Sequence, residues 1–110
     1  MKLWTARIAG GIAVAAGLVC LLALPAAAQD GKALYVEKGC PTCHGPDGAT
    51  TIAPNYPKLK GQNADYIAVQ LKAFRSGERK GPQVALMAPM ALTLTDPESE
   101  LIAKYLQDAQ

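Results

Sequence analysis

The chain has 110 residues with 11 Lys or Arg, 9 Asp or Glu, three cysteines and one histidine, for a formal net charge of +2 and 50% hydrophobic content. That length leaves room for one domain, since domains of ~100 to 200 residues are the norm. The averages hide a division: residues 1–28 contain 21 of the 55 hydrophobic residues and the whole positive excess (Lys2, Arg7), while residues 29–110 carry nine basic and nine acidic groups, a neutral balance that excludes a nucleic-acid binder read from charge.

In chain order, the first segment has the layout of a secretory leader. Lys2 and Arg7 precede an uncharged run from Ile8 to Leu24, and Pro25-Ala26-Ala27-Ala28 supplies the small residues of an A-x-A cleavage site. A retained membrane anchor is the competing reading. The run falls short of the ~20 residues a spanning helix needs, and it contains Gly10, Gly11 and Gly17. Cys20 follows Val19 rather than the small residue of a lipoprotein site, so it is expected to leave with the leader. Cleavage after Ala28 would give a periplasmic chain of residues 29–110 with two cysteines and no stable membrane insertion.

Three helices are expected in that chain. Asp30 to Lys38 places Ala33, Tyr35 and Val36 among charged residues, with Gly39 as a stop. Asn63 to Ser76 puts Ile67, Leu71 and Phe74 on one helical face, capped by Asn63 and ended by Gly77. Thr95-Asp96-Pro97-Glu98 is a capping box with Pro in the first turn, followed by Leu101, Ile102 and Tyr105. Between them, Cys40–Gln62 and Gly77–Leu94 read as long loops rich in Gly and Pro. Gly81–Thr95 has no charge and is too rich in proline to be one helix. Five aromatic residues (Tyr35, Tyr56, Tyr66, Phe74, Tyr105) make a thin core, and loops this long need something to wrap.

That something is indicated by Cys40-Pro41-Thr42-Cys43-His44, the C-x-x-C-H pattern of haem c attachment. Two thiols three residues apart can form thioethers to the two vinyl groups of one porphyrin, with the adjacent imidazole beneath the iron. A zinc knuckle would need a second cysteine pair, and a thioredoxin-like pair would follow a strand of a βαβ unit. A structural disulfide stays possible from the cysteines alone but leaves His44 unexplained. With a single histidine, a six-coordinate iron would take a methionine, Met87 or Met90, although a methionine also serves as plain core filler.

These segments, together with Ala53-Pro-Asn-Tyr-Pro-Lys-Leu-Lys-Gly-Gln62, Tyr66-Ile-Ala-Val-Gln-Leu-Lys-Ala-Phe-Arg-Ser-Gly77 and Met87-Ala-Pro-Met90, resemble the class I cytochromes c, and among them bacterial haem domains of the c4 and c5 type. The resemblance covers residues 30–110. It implies an all-α class I cytochrome c fold, with three main helices and long loops wrapped around one covalent haem c. It implies Met87 as the sixth ligand opposite His44, because the family's methionine lies eight residues before the Ser or Thr that caps the last helix; a shorter loop would favour Met90. It further implies that the Pro54 carbonyl accepts the Nδ1 proton of His44, and that Gly31, Tyr35, Leu101 and Tyr105 meet where the terminal helices cross. The Trp that mitochondrial relatives place near a haem propionate has no counterpart, since the only Trp is Trp4; Tyr56, Arg75, Arg79 and Lys80 are the candidates for that task.

His/Met ligation closes both axial positions, and the soft thioether raises the potential. The resemblance therefore implies a periplasmic single-electron carrier rather than an enzyme, passing electrons between redox-partner proteins such as a dehydrogenase, an oxidase or a reductase, as a monomer or within a hetero-complex. The alternatives are a haem c subunit of a larger dehydrogenase and a ligand-binding or peroxidatic haem protein. Charge is unevenly spread, with a net +4 over residues 58–80 and −3 over residues 95–110, a dipole able to orient at a charged partner.

Overall fold

A computed structural model describes residues 10–17 and 30–109. The expected leader and its cleavage point, with Trp4 and Cys20, lie outside the described residues except for 10–17, which have no regular secondary structure and are exposed. No helix of the described residues is long and apolar enough to cross a membrane.

The described chain is all-helical: α1 (Gly31–Glu37), α2 (Pro41–His44), α3 (Ala64–Ser76), α4 (Val84–Ala91) and α5 (Asp96–Asp108). The three expected helices form where their end signals stand. Asp30 caps α1 by accepting from Lys32 N, Asn63 caps α3 by accepting from Tyr66 N, and Gly77 ends α3. Both halves of the Thr95/Glu98 capping box are made at the start of α5. The loops were expected to be irregular and are not wholly so. α2 is one turn around the cysteine motif, and α4 is a two-turn helix with Pro89 inside it. The proline removes the N–H that Ala85 O would receive, a loss of one bond that an eight-residue helix with an apolar face can absorb.

α5 is the hub, packed against α1 and α3, while α4 lies against α3. The α1/α5 crossing is close because Gly31 has no side chain: a Cβ there would sit 2.2 Å from Leu101 O and 3.0 Å from Tyr105 Cβ. Tyr35 and Tyr105 meet beside it with ring centroids 5.5 Å apart and the planes tilted by 56°, so the four expected contact residues do meet. The core, Leu34, Tyr35, Ile67, Leu71, Leu94, Ile102 and Leu106 among others, extends from this crossing toward α2 and α4.

Candidate haem site

α1 runs into α2 without a break in hydrogen bonding. Gly39 N donates to Val36 O, Cys40 N to Tyr35 O, and Cys43 N and His44 N both return to Cys40 O. Pro41 suits the first turn, where its missing N–H is no loss. The turn brings Cys40, Cys43 and His44 to spacings of three and four, neighbours on one helical side. Both thiols are free, and burial pushes the Cys40 thiol pKa up. Gly45 ends the turn with φ 83, and a Cβ there would lie 2.0 Å from Thr50 O, so only glycine lets the chain fold back beneath the motif.

His44 is buried, with 7% of its surface exposed. Its Nδ1 lies 2.8 Å from Pro57 O; a carbonyl can only accept, so Nδ1 carries the proton and Nε2 the lone pair. The carbonyl expected here was that of Pro54. Tyr56 N donates to Ala53 O, closing a turn that carries Pro54 outward, where it is exposed, and brings Pro57 back under the ring. The Pro54-Asn55 pair is a turn signal, but it does not say which of the two proline carbonyls meets the ring. The loop is held in place by Ile52 N on Cys43 O, Leu59 N and Lys60 N on Gly48 O, and Gly61 N on Leu106 O. From α1, the hydroxyl of Tyr35 donates to Gly45 O at 2.6 Å, a tie that the sequence did not announce.

Across an apolar cleft lined by Cys40 and His44 stands the wall formed by α4, with Leu59, Ile67, Leu71, Leu94, Ile102 and Leu106 also in the lining and Cys43 outside it. Met87 and Met90, three residues apart on one helix, both line the cleft. Met87 is half-buried and packs on the core; Met90 is 37% exposed, with its methyl group beside Gly39. Tyr56 is not part of the cleft lining. Arg75 turns away from the propionate task toward α5, donating to Leu94 O and Ser99 Oγ and pairing with Asp96. Arg79 lies over the Phe74 ring and donates to Gln70 Oε1, while Lys80 is exposed. Among the described residues no three His, Cys, Asp or Glu side chains gather as a metal cluster.

The donor set fits a haem c. The Cys40 thiol and an imidazole with its Nε2 lone pair available stand on one wall, with the free Cys43 thiol one turn along the chain from Cys40; thioethers stand on the other, and apolar side chains line the space between. A family model described as cytochrome c matches residues 28–110. The chain is 42% identical over 88 residues to a thiosulfate dehydrogenase electron acceptor of Thiomonas intermedia, covering 74% of this chain and 40% of that protein. It is 50% identical over 66 residues to cytochrome c-554(548) of Halomonas halodenitrificans, covering 60% of this chain and 78% of the relative. The crystal structure of reduced recombinant cytochrome c4 from Pseudomonas stutzeri superposes with a TM-score of 0.63 at 32% identity, over 73% of this chain and 46% of that one.

Proposed function

The chain belongs to the cytochrome c family, and from that premise we propose that it is a mono-haem electron carrier of the periplasm, with His44 and Met87 as axial ligands. The observation that carries this reading is the pairing of walls across the apolar cleft: Cys40 at the start of α2 and His44 at its end on one side, Met87 of α4 on the other. A haem c joined at Cys40 and Cys43 would supply a one-electron Fe(III)/Fe(II) couple there. His44, its Nδ1 committed to Pro57 O, presents Nε2 as the nitrogen ligand; such a hydrogen bond fixes the ring's tautomer and orientation. Met87 is favoured over Met90 because it is the more buried of the two and packs on the core. The apolar lining keeps water out, which limits solvent reorganisation when the charge changes by one.

The relatives' names support a place for the protein beside a dehydrogenase. One is called the electron acceptor of thiosulfate dehydrogenase, and a chain with this site would accept electrons one at a time in the same way. This chain spans about 40% of that relative's length, so the enzyme it serves is part of the proposal.

Absorption spectra of the exported protein in both oxidation states, with its mass, test the reading. The expected result is a mass of residues 29–110 plus one haem and a low-spin ferrous spectrum that becomes high-spin in Met87→Ala. A wild-type ferrous spectrum of the high-spin, five-coordinate type overturns the carrier. An unaltered Met87→Ala spectrum transfers the ligand to Met90.

A further inference from the structure

The wall that bears both methionines is held to the molecule in an unusual way. Within residues 81–94 the backbone bonds are local: Val84 N to Gly81 O, Leu92 N to Ala88 O, Thr93 N to Met90 O and Leu94 N to Ala91 O. Among the described residues, the hydrogen bonds that tie this segment to other parts of the fold come from two cationic side chains. Lys38, at the end of α1, donates through Nζ to Thr93 O at 3.2 Å. Arg75, in the last turn of α3, donates through Nη1 to Leu94 O at 3.1 Å. Two consecutive carbonyls at the exit of α4 are thus gripped, one from the end of α1 and one from the last turn of α3.

Each cation is itself anchored on α5. Lys38 Nζ lies 3.3 Å from Glu98 Oε1, and Glu98 also closes the capping box on Thr95 N. Arg75 Nη1 reaches Ser99 Oγ at 2.9 Å, and its Nη2 pairs with Asp96. Both side chains are largely withdrawn from water, at 20% and 17% exposure, where charge-assisted bonds to carbonyls are stronger than at an open surface. The grip is passed back along α4 through Met90 O, which accepts from both Thr93 N and Thr93 Oγ1, and through the fixed φ of Pro89. The rest of what holds α4 is apolar packing, which resists sliding far less than directional bonds do.

We propose that Lys38 and Arg75 are positioning residues for the methionine wall: they clamp the Thr93–Leu94 exit of α4 and so hold the Met87 thioether against displacement. This rests on the reading of Met87 as ligand. A looser clamp leaves the covalent attachment and His44 untouched and lets the methionine side open more often, so an external ligand competes better.

The test is titration of the ferric holoprotein with imidazole, followed by absorbance, in wild type, Arg75→Gln, Lys38→Met, Lys38→Arg and Met87→Ala. Loss of the charge-assisted bond to Leu94 O, with the Ser99 and Asp96 contacts that anchor it, in Arg75→Gln is expected to tighten imidazole binding roughly tenfold and Lys38→Met roughly threefold, with Lys38→Arg close to wild type. Met87→Ala binds tightest, and adding Arg75→Gln to Met87→Ala changes affinity less than about twofold, because the clamp acts through the methionine. A purely structural role would leave imidazole affinity unchanged or shift it equally in both backgrounds. Should Arg75→Gln not fold, Lys38→Met carries the test alone. Affinities in the clamp variants within about twofold of wild type, beside tight binding by Met87→Ala, overturn the clamp and leave the ligand reading standing. Wild-type affinity in Met87→Ala overturns both.

Discussion

His44 has two ring nitrogens, and the fold commits one of them to the backbone. Pro57 O takes the Nδ1 proton, and Tyr35 holds the carbonyl that immediately follows the histidine, Gly45 O, at 2.6 Å. Burial pushes the Tyr35 hydroxyl pKa far above its ordinary value, so it remains a proton donor throughout the working pH range. Tyr35→Phe would leave Gly45 O without that partner in a buried place. The expected cost is about 1–2 kcal/mol in urea unfolding of the holoprotein; a loss below about 0.5 kcal/mol would mean that the bond merely accompanies the packing. The grouping of Cys40, Cys43 and His44 was legible because its residues are adjacent in the chain, and the chemistry proposed for them depends on that adjacency. The carbonyl partner was not, because which of two nearby prolines faces the ring is decided by a turn closed between Tyr56 N and Ala53 O. Arg75 was misread for a similar reason: its partners Leu94, Ser99 and Asp96 lie some twenty residues away, and sequence spacing carries no information about them.

At the level of helices, end signals proved more telling than interiors. Asp30, Asn63 and Thr95 each accept a backbone N–H within the first turn of the helix they begin, a local interaction that needs no tertiary context. α2 and α4 escaped because local rules argue against them. A single turn has little periodicity to detect, and a proline within eight residues normally marks a loop. α2 continues the hydrogen bonding of α1 through Cys40, and α4 lies against α3; sequence periodicity encodes neither. The α1/α5 crossing was legible only through the family resemblance, and its physical basis is Gly31. A methyl group there, 2.2 Å from a backbone oxygen, cannot be relieved by a rotamer change; α1 and α5 must separate. Gly31→Ala is therefore expected to destabilise the holoprotein by about 1–3 kcal/mol, measured by chemical unfolding. The α3/α5 contact lies elsewhere on α5, so loss of helical content at 25 °C beyond α1 would contradict this account.

Across the whole molecule, carboxylates fasten the loop after α2 (Asp47), the α1/α5 joint (Glu98) and the end of α5 (Asp108), and that makes the fold acid-sensitive in a defined direction. Asp47 takes the backbone N–H groups of Thr50 and Ala49, and those bonds hold its pKa below the usual value. Glu98 is held low by the Thr95 backbone N–H and by Lys38, and Asp108 by Lys104. Because each folded-state pKa is depressed, the stability these groups contribute is fully present above their unfolded values, near pH 4, and is lost as the pH falls through the folded ones. The neutral balance of residues 29–110 adds no large self-repulsion at pH 7, and as the carboxylates take up protons the nine basic groups add a repulsion that works in the same direction. Tm is expected to be level from about pH 7 to pH 5 and to fall steeply below pH 4. In Asp47→Asn/Glu98→Gln it starts lower at pH 7 and falls less, because two of the groups that must take up protons on unfolding are gone. Calorimetric scans of the holoprotein across that range decide the matter: if the double variant keeps the full wild-type slope below pH 4, the acid response originates elsewhere, and the joints at Asp47 and Glu98 are not what acid releases.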